Sequence, residues 1–163
     1  MVSFWEEVLA TLANEFSDLS SPEQFTQVTL RLLLAALLGG LLGLEREAHG
    51  KAAGIRTHML VAMGSALFVL VPAQMGAESD AMSRVIQGLV AGIGFLCAGT
   101  ILKGESMSEV KGLTTAAGIW LTAAIGITVG LGREATAVLS TLLAFFIFNI
   151  VPHFNRWIEK RAR

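Results

Sequence analysis

Five apolar runs, at about residues 25–44, 55–73, 85–102, 113–131 and 135–152, constrain this chain more than any other feature. Each is close to the roughly 20 residues an α-helix needs to cross a hydrocarbon core of about 30 Å. In lipid the backbone must satisfy its own hydrogen bonds, so such runs fold as helices or as a closed barrel. These runs are rich in Leu and Gly and do not alternate apolar with polar, which disfavours the barrel. Composition agrees: 53% of the 163 residues are hydrophobic and 15% charged, against about 25% charged in a soluble domain. The expected fold is all-α, a polytopic membrane helix bundle of about five spans with a short amphipathic helix before it. The expected organisation is 1–24, N-terminal helix and linker; 25–152, the five-span domain; and 153–163, a basic tail.

Residues 3–16 have the capping-box spacing Ser3/Glu6 and an apolar face of Trp5, Val8, Leu9, Leu12 and Phe16. Such a helix either lies in the membrane interface or docks on the end of the bundle. Ser21-Pro22-Glu23-Gln24 is a second helix start. The acidic N-terminus lacks the basic-then-apolar pattern of a signal peptide. The single cysteine, Cys97, sits in an apolar run and offers no intrachain disulfide. No basic stripe with interleaved aromatics points to nucleic acid. The sequence contains no Walker loop, HExxH, GxSxG or CxxC, so a non-enzymatic role is expected.

Lys and Arg set orientation. With five spans, one side receives Arg46, Lys51, Arg56, Lys103, Lys111, Arg156, Lys160, Arg161 and Arg163. The other receives only Arg84 and Arg133, with Arg31 left inside the first span. The N-terminus is therefore expected outside and the C-terminus in the cytoplasm, with Phe154 and Trp157 anchoring the inner interface. The charged block GLEREAHGKAAGIRTH, residues 43–58, becomes a cytoplasmic connector that orients the bundle.

Small residues at spacing four line three spans: Gly39 and Gly43; Gly88 and Gly92; Gly118, Thr122, Gly126 and Gly130. In lipid such faces let backbones approach closely, within one chain or against a second copy. Arg31 either faces protein or snorkels to the outer headgroups. Asn149 is expected to bond across helices, Trp120 to fill the bundle interior, and Cys97 to pack as a small buried residue.

Two sites compete. The second and fourth spans begin Gly54-Ile-Arg56-Thr57-His58 and Lys111-Gly112-Leu-Thr114-Thr115. Unpaired N–H groups at helix starts, with Arg, Lys and Thr beside them, form an anion- or headgroup-receptive arrangement. The two starts align weakly as a repeat, Gly54 with Gly112, Thr57 with Thr115 and Glu47 with Glu105. The rival is a cation site, for which Mg²⁺ needs oxygen ligands; Glu45, Glu47, Glu105 and Glu109 are the weak candidates. Each has basic neighbours, which favours internal ion pairs over a cage.

The blocks GLEREAHGKAAGIRTHMLVAMGSAL, GLVAGIGFLCAGTILK and VKGLTTAAGIWLTAAIGITVGLG, in this order, resemble the membrane domain of the MgtC/SapB family across residues 25–152. The family pattern usually has Gly where this chain has Cys97. The C-terminal cytoplasmic domain of MgtC proper has no counterpart in this sequence. The resemblance implies a five-span bacterial inner-membrane protein linked to growth in scarce Mg²⁺ and to survival in hosts. It brings in Mg²⁺ as the candidate ion, with transport or sensing as the role. Alternatively it implies regulation of a membrane partner such as a transporter or the ATP synthase. Apart from the resemblance, membrane lipid and a second copy of the chain, as a homo-oligomer (a dimer), are expected partners. By matching position the resemblance marks Glu45, Arg46, Glu47, Lys51, Gly54, Arg56, Thr57, His58, Gly92, Gly94, Gly99, Lys103, Lys111, Gly112, Thr114 and Thr115.

Overall fold

The structure is a computed structural model that describes residues 3–19, 21–103 and 110–161, with side chains omitted for 102–103 and 152–161. It falls into two units, residues 1–30 and 31–163. In the first, α1 (Phe4–Glu15) is followed by a 3₁₀ turn at Ser17–Leu19. The Ser3 backbone N–H donates to Glu6 Oε2 at 2.8 Å, as the capping-box spacing predicts. α2 (Pro22–Ala48) then starts with Pro22 in its first turn, and the Gln24 N–H donates to Ser21 Oγ at 3.1 Å.

The second unit holds the rest of α2 with α3 (Ile55–Gln74), α4 (Ser79–Ala98), α5 (Leu113–Gly130) and α6 (Glu134–Arg161). Helices α2 to α6 each contain a stretch long and apolar enough to cross a membrane. Three of them stop the same way. At the ends of α2, α3 and α5, Gly50, Gly76 and Gly132 take positive φ. The next residue's N–H then reaches back five residues: Lys51 to Arg46, Ala77 to Pro72, Arg133 to Thr128. Glycine enters this left-handed position at no steric cost and so ends the helix while satisfying its last carbonyls.

α5 is the central helix, with eleven buried residues from Thr115 to Gly130. It runs parallel to α3 at very close range. A Cβ on Gly130 would stand 2.6 Å from the Ala66 carbonyl oxygen, and one on Gly126 would strike the Ala62 carbonyl oxygen. α2 approaches α3 antiparallel by the same device: a Cβ on Gly39 would meet His58 O at 2.5 Å and one on Gly43 would meet Ile55 Cα at 2.6 Å. The core that results contains Ala35, Leu38, Leu42, Ala62, Ala66, Ile125, Val129, Ala137 and Ala144. A second cluster, Ala53, Cys97, Ala116 and Ile119, joins α4 to α5. There the Cys97 thiol donates to Ala116 O at 3.2 Å, which a glycine at that position could not do.

α4 is different. Cys97 is its one buried residue among those described, and Cβ atoms on Gly88, Gly92 and Gly94 would have nothing within 4 Å. Its glycine face lies open among the described residues. An apolar groove of about 550 Å³ between α3 and α4 borders Gly64, Phe68, Gly88 and Gly92.

Several boundaries depart from the sequence reading. α2 continues through Glu45–Ala48, because two opposite charges there neutralise each other and the stop is Gly50. α4 begins at Ser79 and ends at Ala98; Leu102 and Lys103 instead pair antiparallel with Lys111 and Val110. α6 passes through Pro152 to Arg161. Trp120 does not fill the interior: it is 49% exposed and borders a small α4–α5 cavity. It lies two residues from both Gly118 and Thr122, which face inward, and a two-residue step is more than half a helical turn.

Candidate functional site

The charged block is not a solvated loop. Its first half is the last turn and a half of α2, and it places Glu45 and Arg46 inside the protein at 7% and 4% exposure. Neighbouring helical residues do not normally face each other, yet here the Arg46 guanidinium folds back to grip its neighbour. Arg46 Nε donates to Glu45 Oε2 and Nη2 to Oε1, the latter at 2.7 Å. The guanidinium carbon also lies 3.9 Å from the centre of the Phe148 ring on α6, a cation–π contact strengthened by burial. His49 closes the other side, its Nδ1 3.1 Å from Glu45 Oε1 and 2.8 Å from the Glu45 carbonyl oxygen.

Glu47 faces the other way. Its Oε2 accepts from the Ile55 N–H at 2.9 Å, capping the start of α3. A Cβ on Gly54 would meet the end of this Glu47 side chain, which would have to swing aside. An anion therefore does bind the α3 N-terminus, and it is the chain's own. An external anion would have to displace Glu47. Arg56 is exposed beside it and Thr57 half-buried; Lys51 is exposed in the connector.

His58, one turn into α3, is fully buried. Its Nδ1 lies 3.0 Å from the Gly54 carbonyl oxygen. A carbonyl only accepts, so Nδ1 carries the proton and Nε2 is left as an acceptor. Among the described residues Nε2 has no hydrogen-bond partner. It points at α5, 3.8 Å from where a Cβ on Gly118 would be; Phe148 Cζ would be 3.3 Å from that same point. Gly118 thus makes the space in which His58, Phe148 and the Glu45–Arg46 pair come together. Thr122, also buried, donates from its hydroxyl to Gly118 O at 2.9 Å.

The α5 start is built differently from that of α3. Gly112 has φ +96°, and a Cβ there would collide with Thr100 O, whereas Gly54 is extended. The aligned glycines therefore do separate jobs. Thr115 is buried; Thr114 and Lys111 are exposed, and Lys111 is engaged by neighbours. Gly99 follows α4 as its C-cap. The backbone of Lys103 is described without its side chain, and Glu105 and Glu109 lie outside the described residues.

At the opposite end of the second unit, Arg31 reaches the α5–α6 turn. Its Nη1 donates to Gly130 O at 3.3 Å, and its Nε lies 3.5 Å from Glu134 Oε1. The cation meets the negative end of the α5 dipole and a carboxylate at the start of α6. Asn149 donates to Phe145 O of its own helix at 2.9 Å.

This donor set does not fit a resident Mg²⁺ site. Mg²⁺ needs carboxylate oxygens that are free to turn to it; Arg46 and His49 hold Glu45, and the α3 backbone holds Glu47. No group of three His, Cys, Asp or Glu could hold a metal among the described residues. Phe148 and Glu134 escape a reading of sequence alone. Phe148 is one aromatic among several in an apolar run. Glu134 carries one usable signal: the isolated Arg31 calls for an acid at the same depth.

The MgtC family model matches residues 32–157. Protein SrpB of Synechococcus elongatus is 46% identical over 140 residues, 79% of this chain and 75% of the relative. "Putative magnesium transporter YhiD" of Escherichia coli K12 is 39% identical over 128 residues, 74% of this chain and 59% of YhiD. Protein MgtC of Salmonella typhimurium LT2 is 45% identical over 114 residues, 70% of this chain and 48% of that protein. The matched region thus spans about half to three quarters of these relatives. No solved structure matches the chain.

Proposed function

The chain belongs to the MgtC family of multi-pass membrane proteins, and from that premise we propose that it serves Mg²⁺ homeostasis as a regulator of a membrane partner. We place it in a bacterial inner membrane, with the Glu45–His58 end cytoplasmic in accordance with the Lys/Arg bias. The names of two relatives supply the link to Mg²⁺. The observation that favours regulation over conduction is the backbone-to-backbone contact of α3 with α5 through the middle of the bundle. Where a pore would need polar lining, this region is filled by Ala62, Ala66, Gly126 and Val129. The open face of α4, with Gly88 and Gly92, is the kind of surface that membrane helices pack against. It suits a helix of a second copy or of another membrane protein.

Direct Mg²⁺ transport is the second reading, favoured by the name of the YhiD relative. Reconstitution in liposomes holding a Mg²⁺-sensitive dye separates the two. Regulation predicts influx no faster than in empty liposomes, together with crosslinking from Gly88→Cys to a partner helix in native membranes. Influx that depends on protein dose and is lost in Arg46→Ala would establish transport instead.

A further inference from the structure

No residue of α1 belongs to the site or to either core cluster. Phe4, Trp5, Leu9, Leu12 and Phe16 are between 52% and 81% exposed, and no α1 residue is buried. Leu9 and Phe16 follow Trp5 by four and eleven residues, so they form one stripe along the helix. Glu7 lies on the opposite side, Glu6 and Glu15 flank the stripe, Asp18 follows just beyond, and residues 1–30 contain no Lys or Arg. An apolar stripe of this size on a short helix calls for a covering.

The chain indicates what covers it. Six residues separate Glu15 from Pro22, the start of the first membrane-length helix. Fully extended they reach about 21 Å, so α1 cannot leave the neighbourhood of the bilayer surface. Phe and Trp are the side chains that settle at the headgroup–acyl boundary. The acidic back and flanks repel anionic headgroups, the reverse of the usual basic surface helix. We propose that α1 is an interfacial anchor that lies in the surface of the bilayer its own chain spans and binds zwitterionic lipid in preference to anionic lipid.

Trp5 reports on this directly. The full chain carrying Trp120→Phe and Trp157→Phe has Trp5 as its single tryptophan. In nanodiscs of phosphatidylcholine, Trp5 emission is expected to be blue-shifted, shielded from aqueous acrylamide, and largely lost when the lipid is brominated near the top of the acyl chain. Replacing about a third of the lipid with phosphatidylglycerol should increase acrylamide access, and Leu9→Glu should abolish the shielding. Leu9 and Trp120 are both exposed, so the Leu9→Glu protein is expected to fold as its Trp5-only parent does, which circular dichroism checks. Acrylamide quenching as strong as for a free tryptophan amide would overturn the anchor. So would shielding from acrylamide and bromolipid together, since protein would then be the covering. Equal shielding in the two lipids would overturn the charge preference.

Discussion

The α3–α5 contact makes the sharpest demand on the sequence, and Gly126→Ala tests it. The added methyl would fall on the Ala62 carbonyl, with the Ala62 carbon and Cα each 2.9 Å away. All three are backbone atoms, so no side-chain rotation relieves the clash. At Gly130 the corresponding contact is 2.6 Å, about 0.8 Å inside the 3.4 Å at which ordinary contact begins. The helices must separate by a similar amount, and close-packed interiors resist such a shift. Overpacking costs about 1–3 kcal/mol, and a backbone clash belongs at the upper end. At about 3 kcal/mol the folding equilibrium falls by roughly two orders of magnitude. Gly94→Ala is the control: nothing lies within 4 Å of the new methyl, and the helix gains up to about 1 kcal/mol of propensity. Unfolding in mixed micelles of rising SDS fraction, followed by circular dichroism, gives both values. The reasoning fails if Gly126→Ala unfolds at the same SDS fraction as the parent or later.

Three further outcomes follow from the ends of the bundle. Arg46→Ala leaves the Glu45 carboxylate buried without its partner and should cost about 3–5 kcal/mol, whereas Glu45→Ala with Arg46→Ala should cost less than the sum of the singles; SDS titration of the four proteins measures the coupling. Glu47→Ala removes the cap of α3 and should cost about 1 kcal/mol, with faster amide exchange confined to residues 55–58; unchanged exchange there would contradict the cap. Arg31→Ala should cost about 1 kcal/mol through the lost bond to the Gly130 carbonyl, while Glu134→Gln should cost less, because that pair is partly exposed and screened.

The five spans were legible because hydropathy at span length is a strong signal, and α3 and α5 start within a residue of expectation. The fate of Glu45 and Arg46 was not. Residue by residue they read as a polar connector, and only their mutual pairing, against Phe148 of a helix a hundred residues later, lets them enter the core. The small-residue spacing identified all three glycine faces. It could not say that Gly39 and Gly126 meet α3 while a Cβ on Gly88 would have nothing within 4 Å among the described residues, since spacing fixes a face and not its partner. Trp120 departs from expectation for a related reason: its mid-span position gives depth along the helix, whereas helical phase decides which side chains face inward.

The parallel pairing of α3 with α5 also bears on how the chain is put together as it leaves the ribosome. α3 enters the bilayer before α4, yet its Ala62/Ala66 face is completed only by Gly126 and Gly130, made some sixty residues later. α4 is the return leg that makes this alignment possible, and its own burial is slight. The contacts therefore close out of sequence order: Ala62 and Ala66 gain Gly126 and Gly130 as neighbours only once α5 has been made, and Arg46 gains Phe148 only with α6. A chain halted after α4 would lack the α5 glycines that cover Ala62 and Ala66.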